Sequence, residues 1–163
     1  MDIKNYYFIR LKYLVTISAI FSIFSAFSEM MIGMPNPWVD CSNLNQAEKI
    51  AGFDFHLKLH DNIIRAMKNM IEIVYQIDNS RKIVIRKSLE TTNKDISGVY
   101  DKYSVNKTIR LSNENEITIR GEKDKIFVAN IISSDKVFSV FCKQGISPKE
   151  LKKIYKLIAE SEK

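Results

Sequence analysis

The sequence predicts an α+β domain, an antiparallel β-sheet meander packed by a short N-terminal helix and a C-terminal helix. Three observations carry this. Between residues 53 and 142 apolar residues recur in short, strand-length runs separated by polar turn signals. Ser147-Pro148-Lys149-Glu150 is a capping box with proline at the first helical position, followed by a helical stripe. Ser42 to Gly52 carries a short stripe of its own, closed by a glycine where a left-handed terminator is needed.

The elements follow in order. Lys4, Arg10 and Lys12 precede Tyr13–Ser28, sixteen residues without charge that end in small residues at Ala26 and Ser28, the pattern of a secretory signal. Sixteen helical residues reach only about 24 Å, short of a hydrocarbon core of about 30 Å. Five of them are Ser or Thr. Length and flanks therefore favour a cleaved signal over residues 1–28, with the mature chain beginning at Glu29; an uncleaved membrane anchor and a buried helix are the alternatives. Cys41 lies thirteen residues beyond Ser28, too far to close the apolar segment as a lipoprotein cysteine would. Residues 29–41 form a leading segment in which Pro35 and Pro37 stiffen the chain and Trp38 is expected to bury its ring beside the first helix.

The single domain is read as residues 42–163. Ser42 is expected to cap a helix to Ile50 or Ala51 with Leu44, Ala47 and Ala51 on its inner side. Phe53, Phe55, Leu57 and Leu59 alternate with Asp54, His56, Lys58 and His60, a strand pattern with one wet face. Further strands are expected at 63–67, 70–77 and 81–87, then a polar loop over 88–98, then strands at 99–105, 107–111, 116–120, 125–133 and 136–142. The closing helix runs to about Ser161 with Leu151, Ile154, Tyr155 and Ile158 against the sheet.

Charge and motifs bound the chemistry. The net charge is +6, and 19 of the 25 basic residues are lysine, compact point charges rather than the guanidinium forks that read phosphates and bases. Nucleic acid is not indicated. Loss of residues 1–28 would remove three basic residues and one acidic, a net two, leaving +4. No nucleophile elbow, zinc-binding helix motif, Walker loop or paired-cysteine spacing occurs, so no catalytic, cofactor-binding or metal-ligating residue is assigned. His56 and His60 would stand about 13 Å apart along a strand, too far to share a metal. Lys149, Lys152, Lys153 and Lys156 fall at i, i+3, i+4 and i+7, a basic stripe that is either a solvated face or a weak contact for anionic lipid or wall polymer. The sheet edge is a second candidate, for an extended peptide, unless lysines protect it. In an oxidising compartment two cysteines permit a single bridge, Cys41 to Cys142; two free thiols are the alternative, because Cys142 lies in apolar sequence.

The residues Asn36-Pro37-Trp38-Val39-Asp40-Cys41, the LNQAEKIAGF helix, and the tail from Phe138 through Ile158 resemble a group of small exported bacterial proteins of unassigned function. The tail is similar to a domain found on the outer side of anti-sigma-factor-like membrane proteins, where an aromatic-rich last strand runs into a Leu-Ser-x-Glu-Glu-Leu helix. Here those positions read Val137-Phe138-Ser139-Val140 and Ile146 to Leu151. The chain departs from the group in lacking a lipobox and in its second cysteine. The resemblance carries no catalytic residues. It implies an exported, non-enzymatic interaction or sensing module at the outer side of a bacterial membrane, with an unidentified protein or envelope component as partner. A tethered regulatory ectodomain and a hydrolase of unfamiliar type are the alternatives.

Overall fold

Hairpin chemistry builds most of the sheet. The computed structural model describes residues 36–57, 62–111 and 115–162. Its elements are β1 (Val39–Cys41), α1 (Leu44–Ala51), β2 (Asn62–Met67), β3 (Met70–Gln76), β4 (Lys82–Ser88), β5 (Val105–Arg110), β6 (Glu116–Glu122), β7 (Lys125–Ile132), β8 (Val137–Ile146) and α2 (Pro148–Ser161). The sheet is antiparallel throughout, in the order β1-β2-β3-β4-β8-β7-β6-β5. The chain therefore makes two meanders, β1 to β4 and β5 to β8, and the pairing of β4 with β8 joins them. The compact unit begins at Pro37, so β1, assigned from sequence to the leading segment, is part of the domain. The signal reading of residues 1–28 and the role given to Pro35 lie outside the described residues.

Local signals explain the helices. Asn43 caps α1, one residue later than expected, with its side-chain oxygen accepting from the Gln46 amide at 2.9 Å; Ser42 turns instead to the Gln46 side chain. Gly52 ends the helix at φ +83°, and its amide donates to the Glu48 carbonyl. The capping box of α2 closes as read: the Ser147 amide donates to Glu150 Oε2 at 2.8 Å and Ser147 Oγ accepts from the Glu150 amide. The β6–β7 hairpin narrows at a register shift beside Gly121, where a Cβ would collide with the Lys125 carbonyl oxygen.

One face of the sheet is the core. Ile71, Ile73, Ile83, Ile85, Val140, Phe138, Ala129, Ile131, Ile117 and Ile119 point to it, covered by Ala47 and Ala51 of α1 and by Leu151, Ile154 and Ile158 of α2. Phe55 and Leu57 enter the same core, keeping the predicted alternation, yet residues 54–57 form no strand. Their backbone is satisfied by side chains: the Phe55 amide donates to Glu48 Oε1 at 2.7 Å and the Asp54 carbonyl accepts from Lys87 Nζ at 2.9 Å. Lys58 and His60 lie outside the described residues, and His56 is exposed. Lys87 is a buried cation on the core side, within 5.7 Å of the Phe53, Phe55 and Phe138 ring centroids and paired with Glu162 at 2.8 Å. Glu162 also binds Lys136, so the end of α2 is tied to β4 and to the start of β8.

Three further expectations change. The strand read at 99–105 begins only at Val105, the start of β5; residues 99–104 belong to an irregular strap, at whose Val99 the amide donates to Ser97 Oγ and the carbonyl accepts from Arg120, bonds that compete with a ladder. The last strand continues past Cys142 to Ile146. The two cysteines form no bridge: Cys41 is on β1 and Cys142 on β8, four strand spacings or about 19 Å apart at about 4.8 Å each, and a disulfide needs Cα atoms within about 7 Å. Burial raises the pKa of the Cys41 thiol.

The α2 cap has a consequence in acid. The Ser147 amide and then the Arg81 guanidinium hold the Glu150 carboxyl at about 2. A folded value below the unfolded one means that this contribution is complete above about pH 4.5 and is lost as the pH falls toward 2. Glu150→Gln should therefore be less stable than the parent at pH 7, and the difference should shrink progressively through that window, as read by urea unfolding at successive pH values.

Candidate interaction surface

The second face of the sheet is built from the residues that alternate with the core. Its upper row crosses all eight strands in register: Asp40, Arg65, Glu72, Arg86, Ser139, Asn130, Thr118 and Thr108. Every member is polar. Over β1 to β4 the charges alternate, with Arg65 Nε to Asp40 at 3.0 Å, Arg65 Nη1 to Glu72 at 3.7 Å and Arg86 to Glu72 at 2.8 Å. Trp38 lays its ring over the Arg86 guanidinium, 5.3 Å from its centroid. Register puts Arg86 on the face opposite α1, so Trp38 anchors the leading segment to the second face and not beside the helix.

The strap, residues 89–104, crosses this face from β4 to β5. Two arginines hold it: Arg86 Nη1 donates to the Ile96 carbonyl, and Arg120 donates to the Val99 carbonyl and Ser97 Oγ while pairing with Asp95 at 2.8 Å. Burial pushes the Asp95 carboxyl up, but hydrogen bonds from Ser97 and Asn130 and the Arg120 charge outweigh it and hold the group below its usual range. Tyr103 stacks on Phe127 at 5.1 Å where the strap reaches the far strands. Beneath it Asn130 Oδ1 and Ser139 Oγ, opposite one another across β7 and β8, are buried without a protein partner.

The next row down is apolar: Ile63, Val74, Val84, Phe141 and Val128, ending at Arg120. Its exposure is graded. Val128, at the strap end, is 0% exposed; Phe141, Val84 and Val74 are half-buried; Ile63, at the far end, is 47% exposed. Below the row lie the exposed side chains of Gln76, Lys82 and Lys143. The strap covers one end of a continuous apolar row and leaves the other open. Sequence reading missed this row. Its signal was present in the doublets Ile63-Ile64, Ile73-Val74, Ile83-Val84 and Val140-Phe141, which make both faces of a strand apolar where strict alternation makes one.

The other candidates are separated from it. Lys149, Lys152, Lys153 and Lys156 are all exposed on the outer side of α2, with Lys156 3.7 Å from Glu160. The sheet edges are blunted: β1 has three residues, and β5 carries exposed Lys107 mid-strand on the side of Ile109, beside a cavity of about 190 Å³ between β5, β6 and Pro148. A second cavity of about 190 Å³ lies between the sheet and the end of α2, where Lys136 and Glu162 neutralise one another. Among the described residues no group of three His, Cys, Asp or Glu side chains is placed to hold a metal, and no helix is long and apolar enough to cross a membrane. No protein-family model, curated protein or solved structure matches the chain.

The charged ladder fixes the surface above the apolar row, and its members differ in worth. Glu72 has a side chain only 6% exposed and neutralises Arg86, whereas the Asp40 side chain is 83% exposed. Glu72→Gln should lower unfolding stability by about 3 kcal/mol, because it strands a part-buried guanidinium. Asp40→Asn should cost less than about 1 kcal/mol, as exposed pairs do. Denaturant unfolding of the two variants measures the contrast.

Proposed function

We propose that the chain is an exported, non-enzymatic interaction or sensing module at the outer side of a bacterial membrane, and that it binds a protein partner on the open end of the second face. The observation that carries the reading is the graded row from buried Val128 to exposed Ile63. Neither sheet edge offers a comparable surface, and the charged groups near the cavity under α2 are spent on one another. Export is supported by the apolar segment Tyr13–Ser28 with its basic flank and by the resemblance of the leading segment and tail to small exported proteins. Retention of that segment would give a tethered ectodomain presenting the same surface. A photo-crosslinking residue at Val84 of the full chain, in its native cells, should capture one partner reproducibly. Capture no greater than from a crosslinker at exposed Asp124 on the β6–β7 hairpin would remove the surface from consideration.

A weaker accompanying contact is proposed for the α2 lysines, worth up to about 1 kcal/mol each at a negative surface. Attachment of the chain to anionic vesicles should disappear at moderate salt and on replacing Lys149, Lys152, Lys153 and Lys156 by Gln, as read by co-sedimentation. Attachment that survives both would make the stripe a solvated face only.

A further inference from the structure

Resting on the surface proposed above, the geometry points to the kind of partner it takes: an acidic amphipathic α-helix of another protein, lying along the row Ile63, Val74, Val84 and Phe141. The four side chains stand on four adjacent strands, β2, β3, β4 and β8, in direct register. At about 4.8 Å per strand they span about 14 Å at nearly even spacing. A helix presents one side chain per turn along its apolar stripe, at about 5.4 Å intervals, so three to four turns supply one contact to each strand.

Charge selects among the occupants. Below the row Lys82 on β4 and Lys143 on β8 are exposed and enter none of the ion pairs, while above it the Asp40, Arg65, Glu72 and Arg86 ladder is internally neutralised. The surface is thus cationic along one side only, which matches a helix with carboxylates flanking one side of its apolar stripe. A second copy of this chain, docked face to face, would set Lys82 and Lys143 against their own counterparts if the two-fold axis lay across the row, and against the internally neutralised ladder if it lay along the row; neither offers them a free carboxylate. A lipid bilayer is a poorer fit for a different reason. Only Ile63 in the row is exposed, and Val74, Val84 and Phe141 are half-buried, so a flat surface reaches one side chain where a ridge reaches four.

The test extends the crosslinking from Val84 to the identity of what is captured. The crosslinked peptide, sequenced by mass spectrometry, should come from a segment of net negative charge with apolar residues at three- and four-residue spacing. The double variant Lys82→Glu, Lys143→Glu, both at exposed positions, should cut the yield by about tenfold with the fold unchanged by circular dichroism. Capture of lipid, of a second copy of the chain, or of a neutral or basic segment overturns the inference, as does an undiminished yield in the double variant. Those outcomes leave a binding surface at Val84 with a different occupant. Absence of specific capture removes the surface itself.

Discussion

The pairing of β4 with β8 governs the rest of the molecule. A meander of eight strands would place β5 beside β4; here β8 takes that position, and β5 is displaced to the opposite edge, three strands further on. The chain leaving β4 must therefore cross β8, β7 and β6 before it can start β5, and sixteen residues from Leu89 to Ser104 make the crossing. The core face is already filled by α1 and α2, so the crossing lies on the other side. One topological choice thus gives the sheet a second buried face, but only over the strands that the strap passes.

A buried face made mostly of polar side chains is costly unless each finds a partner, and the row from Asp40 to Thr108 supplies one to most of its members, Asn130 Oδ1 and Ser139 Oγ beneath the strap excepted. Carboxylates and guanidiniums alternate on adjacent strands, Arg86 and Arg120 each donate from Nη1 to a strap carbonyl, and Thr118 and Thr108 share a hydrogen bond at 3.0 Å, while Arg120 Nε is buried without a partner. These contacts fix register as well as energy, since a slip by one residue would put Glu72 into the core and Ile73 beside the strap. Lys87 and Glu162 do on the core side what Arg86 and Arg120 do on the other. Each uses one buried or half-buried charge to tie a piece of chain outside the strands, the end of α2 or the strap, to the sheet.

What was legible in the sequence is what local chemistry decides. The capping box at Ser147, the glycine stop at Gly52 and the turns at Asp78–Ser80 and Ser134–Asp135 each involve residues a few positions apart, and all form close to where they were read. Failures came where a distant partner outbid a local preference. Phe53 to Leu57 has strand alternation, but Glu48 and Lys87 take its backbone groups. The 99–105 run has strand composition, but Arg120 takes its carbonyl. Of the two readings left open for Cys41 and Cys142, a bridge or two free thiols, strand order decides: it sets them at opposite sides of β2, β3 and β4, which sequence spacing does not encode. The apolar row was hidden for the same reason: the doublets mark strands apolar on both faces, but the row's members come from five strands, and only register sets them side by side.

Where the surface opens follows from these constraints. The strap begins at the upper end of β4 and reaches β5 at Val105, opposite Gly121 at the lower end of β6, so its path is diagonal. It covers the upper row over β8 and β7 and the lower row over β7 and β6, and never passes over the lower parts of β2, β3 and β4. The chain has nothing left for that corner among the described residues: Trp38 covers Arg86 in the row above, and both helices are committed to the core. A strand with apolar residues on both faces normally reports burial on both faces. Ile63, Val74 and Val84 keep the composition of buried residues without a covering element among the described residues, and that mismatch between residue type and environment is the physical reason to look for a partner that completes it.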